Sequence, residues 1–369
     1  MVSAALLLLP AVVSATTRHT GASGIFSPSH GRGGSSTRKT FSTFRHATNL
    51  RDKGFTILRT DISPEIIASA RDECSNELAR LLDGISALGL DPFEQHYRFS
   101  EVTTRHRMRW DFRPEGADSF EKLVQQGVNA ALPIIRTMHE DLPPNPIDGW
   151  LPQITANTRF LAPAEPSVAM TGAIISRPGA KAQRFHADAQ DTHFRLARLN
   201  PRHRLFNVFI PTVDIENDGD GTMLWPCSHL EQTRYDSYQR AIRRSGHLED
   251  DDEAMAAMVA PSMRAGDVLL FDYRLIHRGM TNMGRERCIA YAVLATGGAW
   301  DSVNFPPLSL WNGVNSLPEE LHERDAVRQA AKNNFKFWSE MRERETDELN
   351  LAKEKTGTAA KGDGADGNF

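Results

Sequence analysis

The chain has 369 residues, of which 40% are apolar and 24% are charged, and its formal net charge is -4. This composition is typical of a soluble globular protein and gives no reason to expect nucleic acid as a partner. The three cysteines, Cys74, Cys227 and Cys288, have no CxxC spacing, which argues against a disulfide framework or a cysteine zinc site and favours a reducing compartment.

The first 48 residues have the composition of a targeting leader. Residues 3–15 form an apolar run that ends in small residues, as a cleavable signal does, and the run is too short and proline-interrupted for a stable membrane span. Residues 16–49 contain no Asp or Glu and are rich in Ser, Thr, Gly and Arg, as organelle transit peptides are. We therefore predict a bipartite leader over residues 1–48 that directs the protein to an organelle such as a plastid. The secretory pathway and a frayed apolar tail are the alternatives.

The next part of the chain predicts helices followed by many short strands. GFTILRT at residues 54–60 predicts a strand, and Ser63 and Pro64 predict the N-cap and first residue of a helix. A second helix is predicted near Ser119–His139, ended by the breaker run LPPNP. The following β-rich runs are MTGAIIS, FNVFIPTVDI, GTMLWP, GDVLLFDY and RCIAYAVLA. Short strands at near-regular spacing predict a sandwich or jelly roll, so the fold class is mainly β with helical decoration.

Three further segments complete the predicted organisation. A charged helical pattern over residues 231–262 is interpreted as an insertion between two strands. An SxxE capping box, Ser316 with Glu319, predicts a polar C-terminal helix over residues 316–353. Residues 354–369 have the composition of a disordered tail. The folded domain is therefore predicted to span residues 49–315.

The run RFHADAQDTHF, residues 184–194, contains four side chains that bind metals well. In an extended segment His186 and Asp188 point to the same face, whereas Asp191 and His193 have the opposite parity and are poorer ligands. The best third ligand is His277, at the end of the apolar run GDVLLFDYRLIH. Two histidines and one carboxylate leave three positions of an octahedron open, which is the arrangement of non-haem Fe(II) oxygenases.

Two arginine-containing runs suggest what else the site binds. Arg287 lies ten residues after His277 and opens a β-rich run; its planar fork of donors suits the far end of a dicarboxylate cosubstrate, and a surface arginine is the alternative. The run RHRMRWDFRP, residues 105–114, could meet an anionic or aromatic substrate at the mouth of the site. An ordinary exposed loop explains that run equally well.

Three motifs in order, FHADA, NVFIPTVDIENDGDGTMLWPCSHL and GDVLLFDYRLIHRGMTNMGRERCIAY, resemble the phytanoyl-CoA dioxygenase-like family of Fe(II)/2-oxoglutarate oxygenases. The resemblance spans residues 54–295 and implies a cupin-like double-stranded β-helix core flanked by helices. It further implies that His186, Asp188 and His277 bind iron.

The same resemblance assigns the cosubstrate site. Arg287, rather than its neighbour Arg285, would hold the distal carboxylate of 2-oxoglutarate, and Thr222 and Gln183 are weaker candidates for holding the cosubstrate. The chain departs from the family where PGSH is usual, because Cys227 replaces the turn glycine. A glycine there would supply backbone freedom rather than chemistry. His229, the last residue of this motif, is interpreted as structural rather than as a ligand.

The resemblance predicts a dioxygenase that hydroxylates a small organic molecule or lipid-like metabolite and releases succinate and CO2. Its cofactors would be Fe(II), 2-oxoglutarate and O2, with ascorbate as reductant. Asp188 favours hydroxylation, because family halogenases replace this carboxylate with a small residue. Two alternatives stay open: a cupin-like metal oxygenase that does not use 2-oxoglutarate, and a non-catalytic protein stabilised by its metal. The sequence specifies neither the substrate nor the oligomeric state.

Overall fold

The computed structural model of this chain describes residues 36–94, 96–140, 142, 165–189, 193–194, 196–197, 200–216, 221–230, 251–301, 304 and 310. Its helices there are α1 (Ser36–Lys53), α2 (Pro64–Ala87), α3 (Asp118–Glu140) and α4 (Asp252–Ala256). Its strands are β1 (Phe55–Leu58), β2 (Val102–His106), β3 (Arg109–Phe112), β4 (Ser167–Ser176), β5 (Arg204–Pro211), β6 (Thr222–Leu224), β7 (Val268–Asp272), β8 (His277–Gly279) and β9 (Arg287–Thr296).

Two antiparallel sheets form the core. The large sheet has the strand order β1-β7-β5-β9-β4-β3-β2, and the small sheet pairs β6 with β8. Single bridges extend the small sheet, because His186 pairs with His277 and Leu224 pairs with Val259. This topology, with helices packed against the large sheet, confirms the predicted mainly-β, double-stranded β-helix class.

The two faces of the large sheet have different partners. On β9, Cys288, Ala290, Ala292 and Leu294 belong to a core shared with the three long helices, which we call the helix-facing core. The alternate residues, Ile289, Tyr291, Val293 and Ala295, pack on the other face with residues of the small sheet. We call this second surface the inner face. Because side chains alternate along a strand, the parity of a residue decides which of the two environments it enters.

Helices α2 and α3 lie where the sequence predicted helices. The Ser63 hydroxyl accepts a hydrogen bond from the Ile66 amide at 3.3 Å, and Pro64 is the first helical residue, so the predicted cap is confirmed. Helix α3 comes very close to the sheet at Gly127, where an added Cβ would overlap the Ile210 side chain. Glycine therefore lets the helix pack here without displacing that side chain.

Helix α1 was not predicted. It begins at Ser36, within the residues assigned to the leader, and Ala47 and Leu50 are buried in the helix-facing core. These two residues are three positions apart and so share one helix face, a pattern that acid-poor composition does not reveal. The folded part of the chain thus starts before residue 49. Residues 1–35 lie outside the described residues, and the leader stays a prediction there.

The arginine-rich run at residues 105–114 is not an ordinary loop. Strands β2 and β3 form an antiparallel hairpin, and Met108 takes a left-handed conformation with φ of 58° at its turn. Trp110 and Phe112 enter the helix-facing core, so Arg109 and Asp111 point to the inner face. Arg109 and Asp111 therefore lie buried inside the barrel rather than on an exposed loop, whereas Arg107 is exposed.

Parts of the predicted organisation lie outside the described residues. This applies to residues 231–250 of the insertion, to the C-terminal helix over residues 316–353 and to the tail over residues 354–369. The described end of the insertion contains α4, and then Val259 joins the small sheet. Within the described ranges, no helix has both the length and the apolar character needed to cross a bilayer.

We predict that Cys227→Gly stabilises the protein. Cys227 has φ of 66°, a conformation that costs an L-residue with a Cβ about 1 kcal/mol or more. Part of the gain is offset because glycine raises the entropy of the unfolded chain, so urea titration should show a rise of about 0.5–1 kcal/mol in the free energy of unfolding. Cys227→Ala is the matched control, since it removes the thiol and keeps the Cβ. An equal gain from both variants would contradict the backbone explanation.

Candidate metal centre and cosubstrate site

The three predicted ligands converge at the edge of the small sheet. His186 and His277 form an antiparallel pair and exchange two backbone hydrogen bonds of 3.0 and 2.8 Å, which brings their ring centroids to 4.6 Å. Asp188 follows two residues later, with carboxylate oxygens 3.7 Å from His186 Nε2 and 3.6 Å from His277 Nε2. One donor atom from each of the three residues lies within 4.8 Å of the other two.

Hydrogen bonds fix the tautomer of each histidine. The Nδ1 atom of His186 lies 2.8 Å from the carbonyl oxygen of Arg184, and Nδ1 of His277 lies 3.0 Å from that of Leu275. A carbonyl oxygen only accepts, so Nδ1 carries the proton in both rings and Nε2 is left to bind a metal. Asn207 Nδ2 donates to Asp188 Oδ2 at 2.7 Å. Such partners orient metal ligands in known metal sites, so these residues fit an iron ion.

A buried carboxylate fixes the turn that delivers His277. Asp272, at the end of β7, accepts hydrogen bonds from the Arg274 amide at 2.9 Å and from its guanidinium at 2.8 and 2.7 Å. Burial favours the neutral acid, but Arg274 and Arg204 outweigh it and hold the pKa of Asp272 well below its usual range. Phe271 packs edge-on against the His277 ring with centroids 5.0 Å apart. The His277 ring is therefore positioned both by the turn that carries its backbone and by its contact with Phe271.

The electrostatics of the cluster favour metal binding at neutral pH. Desolvation within the protein, and then the neighbouring His277, lower the pKa of His186 to about 4, so this imidazole is neutral at pH 7. Burial would raise the pKa of Asp188, but His277, His186 and Arg105 together lower it. The set therefore offers nitrogen lone pairs and a carboxylate and no thiolate, which suits a first-row divalent metal. Structural zinc sites use four protein ligands, whereas three converge among the described residues.

Two arginines lie side by side on the inner face near the cluster. Arg287 on β9 and Arg109 on β3 both pair with Ser176 of β4, one from each side. Both are buried, with 3% and 2% of their surface exposed. Burial lowers the pKa of each to about 10, and Arg109 contributes to the shift of Arg287. Both guanidinium groups therefore stay charged at pH 7 in a region that favours anions.

A cavity of about 80 Å³ joins the arginines to the metal ligands. Its wall includes Arg287, Thr222 and Gln183, the three residues predicted to hold the cosubstrate. The cavity connects the three ligands with the arginine pair, and its remaining wall includes Phe209 and Ile289. This arrangement fits a small dicarboxylate bound with one end at the metal and the other end at Arg287.

The residues considered for holding the cosubstrate differ in their position relative to this cavity. Arg285, the rival of Arg287, is exposed and donates to the Asp214 carbonyl oxygen at 3.1 Å. Gln183 accepts a hydrogen bond from the Gly279 amide at 3.0 Å and so joins the segment before His186 to β8. Thr222 pairs with Gly279 from β6 and is buried.

The other two candidates of the RFHADAQDTHF run have different outcomes. His193 lies in a short helical turn, and its Nε2 is 2.8 Å from the carbonyl oxygen of Trp300, so it is not part of the cluster. The strand-parity argument against it does not apply, because the extended pairing ends at a bend after His186. Asp191 lies outside the described residues. His229 hydrogen-bonds the Arg51 carbonyl oxygen at 2.8 Å, in accord with the structural role inferred for it.

Sequence reasoning missed three residues that support the site. Asn207 holds Asp188 from β5, and Asn304 donates to the Asp188 carbonyl oxygen at 3.1 Å. Arg109 donates to the carbonyl oxygens of Gly279 and Met280, just after His277. Asn207 carried a signal, since it is an amide between Leu205 and Phe209 on the inner side of an apolar strand. For Asn304, no local pattern indicates its contact.

Comparison with protein families agrees with this geometry. The family model described as phytanoyl-CoA dioxygenase matches residues 50–287, which is more than half of the chain. The chain belongs to the phytanoyl-CoA dioxygenase family. This family consists of Fe(II)- and 2-oxoglutarate-dependent oxygenases, and the matched range contains the three-residue cluster and ends at Arg287. Among curated proteins, no sequence matches the chain significantly.

Solved structures that are similar to this chain include proteins that depend on α-ketoglutarate (2-oxoglutarate) or were solved with it. The α-ketoglutarate-dependent epimerase SnoN from nogalamycin biosynthesis is 14% identical, with 70% of this chain and 84% of SnoN covered and a TM-score of 0.44. EctD from S. alaskensis, solved with 2-oxoglutarate and 5-hydroxyectoine, is 17% identical, with 68% and 75% covered and a TM-score of 0.40. HygX from Streptomyces hygroscopicus, with nickel and 2-oxoglutarate bound, is 12% identical, with 68% and 86% covered and a TM-score of 0.42.

We predict that Arg287→Lys weakens 2-oxoglutarate binding about 10-fold to 100-fold, because an ammonium group cannot reproduce the two-pronged contact of a guanidinium and a charged hydrogen bond contributes about 1.5–3 kcal/mol. Anaerobic titration of 2-oxoglutarate into the Fe(II)-loaded protein measures this affinity. Arg285→Lys is the matched control two residues away, and it should bind the cosubstrate like the wild type. A larger loss from Arg285→Lys would show that the wrong arginine was chosen.

We also predict that single alanine substitutions at His186, Asp188 and His277 each abolish retention of iron, since each removes one of three donors. His193→Ala and Asp191→Ala should keep the iron, with a loss of affinity no greater than about 10- to 100-fold. Iron content after desalting measures the outcome in all five variants, and circular dichroism verifies their folding. Loss of iron in a folded His193→Ala together with retention in Asp188→Ala would refute the ligand assignment.

Proposed function

We propose that this protein is an Fe(II)- and 2-oxoglutarate-dependent dioxygenase that hydroxylates a small organic molecule and releases succinate and CO2. The observation that carries the proposal is one cavity containing both the His186, Asp188 and His277 donors and the buried Arg287. A metal-binding cluster alone would fit several functions. A buried arginine facing the same cavity supports a carboxylate-bearing cosubstrate.

The residues of the site would have separate roles in binding iron and in binding the cosubstrate. His186, Asp188 and His277 would hold Fe(II), and Arg287 would hold the distal carboxylate of 2-oxoglutarate, with Thr222 and Gln183 beside it. The bound iron and cosubstrate would supply the activation of O2 and the oxidation of a C–H bond. Asn207 keeps the Asp188 carboxylate oriented, and the Nδ1 hydrogen bonds keep both rings aimed at the metal position.

Apolar side chains in the cavity wall limit the access of water. Phe209, Ile289, Ile174 and Val293 line the cavity beside the polar groups. Excluding water strengthens the contact between Arg287 and a carboxylate, because the local dielectric constant falls, and protects a reactive oxidant from side reactions. The presence of Asp188 supports hydroxylation over halogenation, since its carboxylate occupies the position that a halide would need. Ascorbate is proposed as the reductant that keeps the iron ferrous.

The two alternatives are less well supported. A cupin-like oxygenase without 2-oxoglutarate gives no role to Arg287, whose buried guanidinium lines the same cavity as the metal ligands. A carboxylate of 2-oxoglutarate would pair with this guanidinium. A protein that uses its metal only for stability is disfavoured because three donors converge among the described residues rather than four.

We predict that the wild-type protein, given Fe(II) and 2-oxoglutarate without O2, develops the weak visible absorption band of the chelate. On addition of O2 and ascorbate, it should form succinate slowly even without a substrate. Absorption spectroscopy and chromatographic detection of succinate measure the two steps, and the Asp188→Ala variant and a metal-free sample are the controls. If a sample with verified iron loading forms no more succinate than the metal-free control, the oxygenase proposal is wrong.

A further inference from the structure

A second, larger cavity opens at the metal cluster and shares Arg105, His186 and Asp188 with the first. This outer groove has a volume of about 800 Å³ and lies between strand β2 and residues 182–188. Arg98, Arg105 and Arg184 lie along its wall, and Asp188 is the only carboxylate among its described lining residues. Since Asp188 is assigned to the metal, the charge that the groove presents to a ligand is positive.

The wall of the outer groove is also polar and unsuited to a hydrocarbon chain. Its remaining described residues include the hydroxyls of Thr103 and Thr104 and the small side chains of Ala182 and Ala187. No Leu, Ile, Val, Met or Phe is among the described residues that line it. Sites for apolar ligands are lined mainly by hydrophobic and aromatic side chains. The described wall therefore argues against a lipid-like substrate.

Arg105 stands where the groove meets the metal cavity, since it lines both. Its Nε and Nη2 donate to Asp111 Oδ2 at 3.0 and 2.6 Å, which fixes the plane of the guanidinium. Tyr291 donates to the other oxygen of Asp111 at 2.7 Å. A preorganised arginine at this junction suits recognition of an acidic group.

Arg184 lies further along the groove, two residues before His186. It is exposed, and it forms no ion pair with the described residues. Arg107 is also exposed, but it pairs with Glu94 and lines neither cavity. Arg184 is thus available to a ligand in the groove, whereas Arg107 belongs to the outer surface of the hairpin.

We propose that the substrate is a small, polar acid whose carboxylate or phosphate group is bound in the outer groove by Arg105 and Arg184. This inference rests on the proposed function, since it takes the groove to be the path to the iron. An acid bound between these two arginines would place its neighbouring carbon atoms at the entrance to the metal cavity. Charged hydrogen bonds of this kind are about twice as strong as neutral ones, so they would select acids over neutral analogues.

The test compares three probes of similar size: glycerol 3-phosphate, 4-hydroxybutyrate and glycerol. Isothermal titration is performed on the protein loaded with Fe(II) and 2-oxoglutarate under anaerobic conditions, so no turnover is needed. At least one acid should bind about tenfold or more tightly than glycerol, since a charged hydrogen bond contributes about 1.5–3 kcal/mol. The acid that binds more tightly tells whether the site prefers phosphate or carboxylate.

Arg184→Gln and Arg105→Gln should each weaken the tighter acid about threefold to tenfold, in line with the value of a partly exposed charged contact, and leave glycerol unchanged. Arg107→Gln is the matched control on the same hairpin and should behave like the wild type. Arg184→Gln decides the test if Arg105→Gln fails to fold. The proposed substrate class would be wrong if neither acid bound more tightly than glycerol. It would also be wrong if Arg107→Gln and Arg184→Gln weakened binding of the acid equally.

The visible band of the Fe(II)–2-oxoglutarate chelate separates this failure from that of the proposed function. If the band forms and the acids show no preference, only the substrate class is wrong. If the band does not form with verified iron loading, both proposals are wrong.

Discussion

The site depends on one short piece of backbone pairing, in which His186 and His277 face each other across an antiparallel bridge. Exchange of both N–H···O bonds sets the separation and direction of the two side chains before any metal binds. The carbonyl oxygens of Arg184 and Leu275 then fix the two rings, and Asp188 follows from the first histidine by chain connectivity. The cavity and the outer groove meet at this bridge, so the positions of cosubstrate and substrate are both defined relative to it.

Around this bridge, alternate residues of each strand face either the apolar core or the polar cavity of the site. The helix-facing residues of β3, β5 and β9 are apolar and pack under α1, α2 and α3. The inner positions of the same strands carry the polar groups of the site, which are Arg109, Asp111, Asn207, Arg287 and Tyr291. Charges on the inner face are tolerated because they form pairs or hydrogen bonds there, as Asp111 does with Arg105 and Tyr291. One sheet thereby supports a close-packed core on one side and a polar cavity on the other.

The sequence predicted most of what local pattern can encode and missed what depends on tertiary contact. Short apolar runs predicted β4, β5, β7 and β9, and a Ser-Pro start predicted α2, because these signals are local. The hairpin of β2 and β3 was taken for a possible loop, because Arg109 and Asp111 break the expected apolar pattern and find their partners only in the folded barrel. The exclusion of His193 was reached through a strand parity that does not extend so far. Asn304 contacts Asp188 across 116 residues, a separation at which sequence gives no indication.

The pairing of β9 has a consequence for how length changes can be accommodated in related chains. Arg287 faces the cavity because it pairs with Ser176 at the first position of β9. An extra residue at the exposed positions 283–285 of the preceding turn would lengthen a surface connection and leave that pairing intact. An extra residue inside β9 would instead turn the side chains beyond it onto the opposite face. The ten-residue interval from His277 to Arg287 is therefore a matter of turn length, and homologues with a longer or shorter interval could keep the same arginine in the same place.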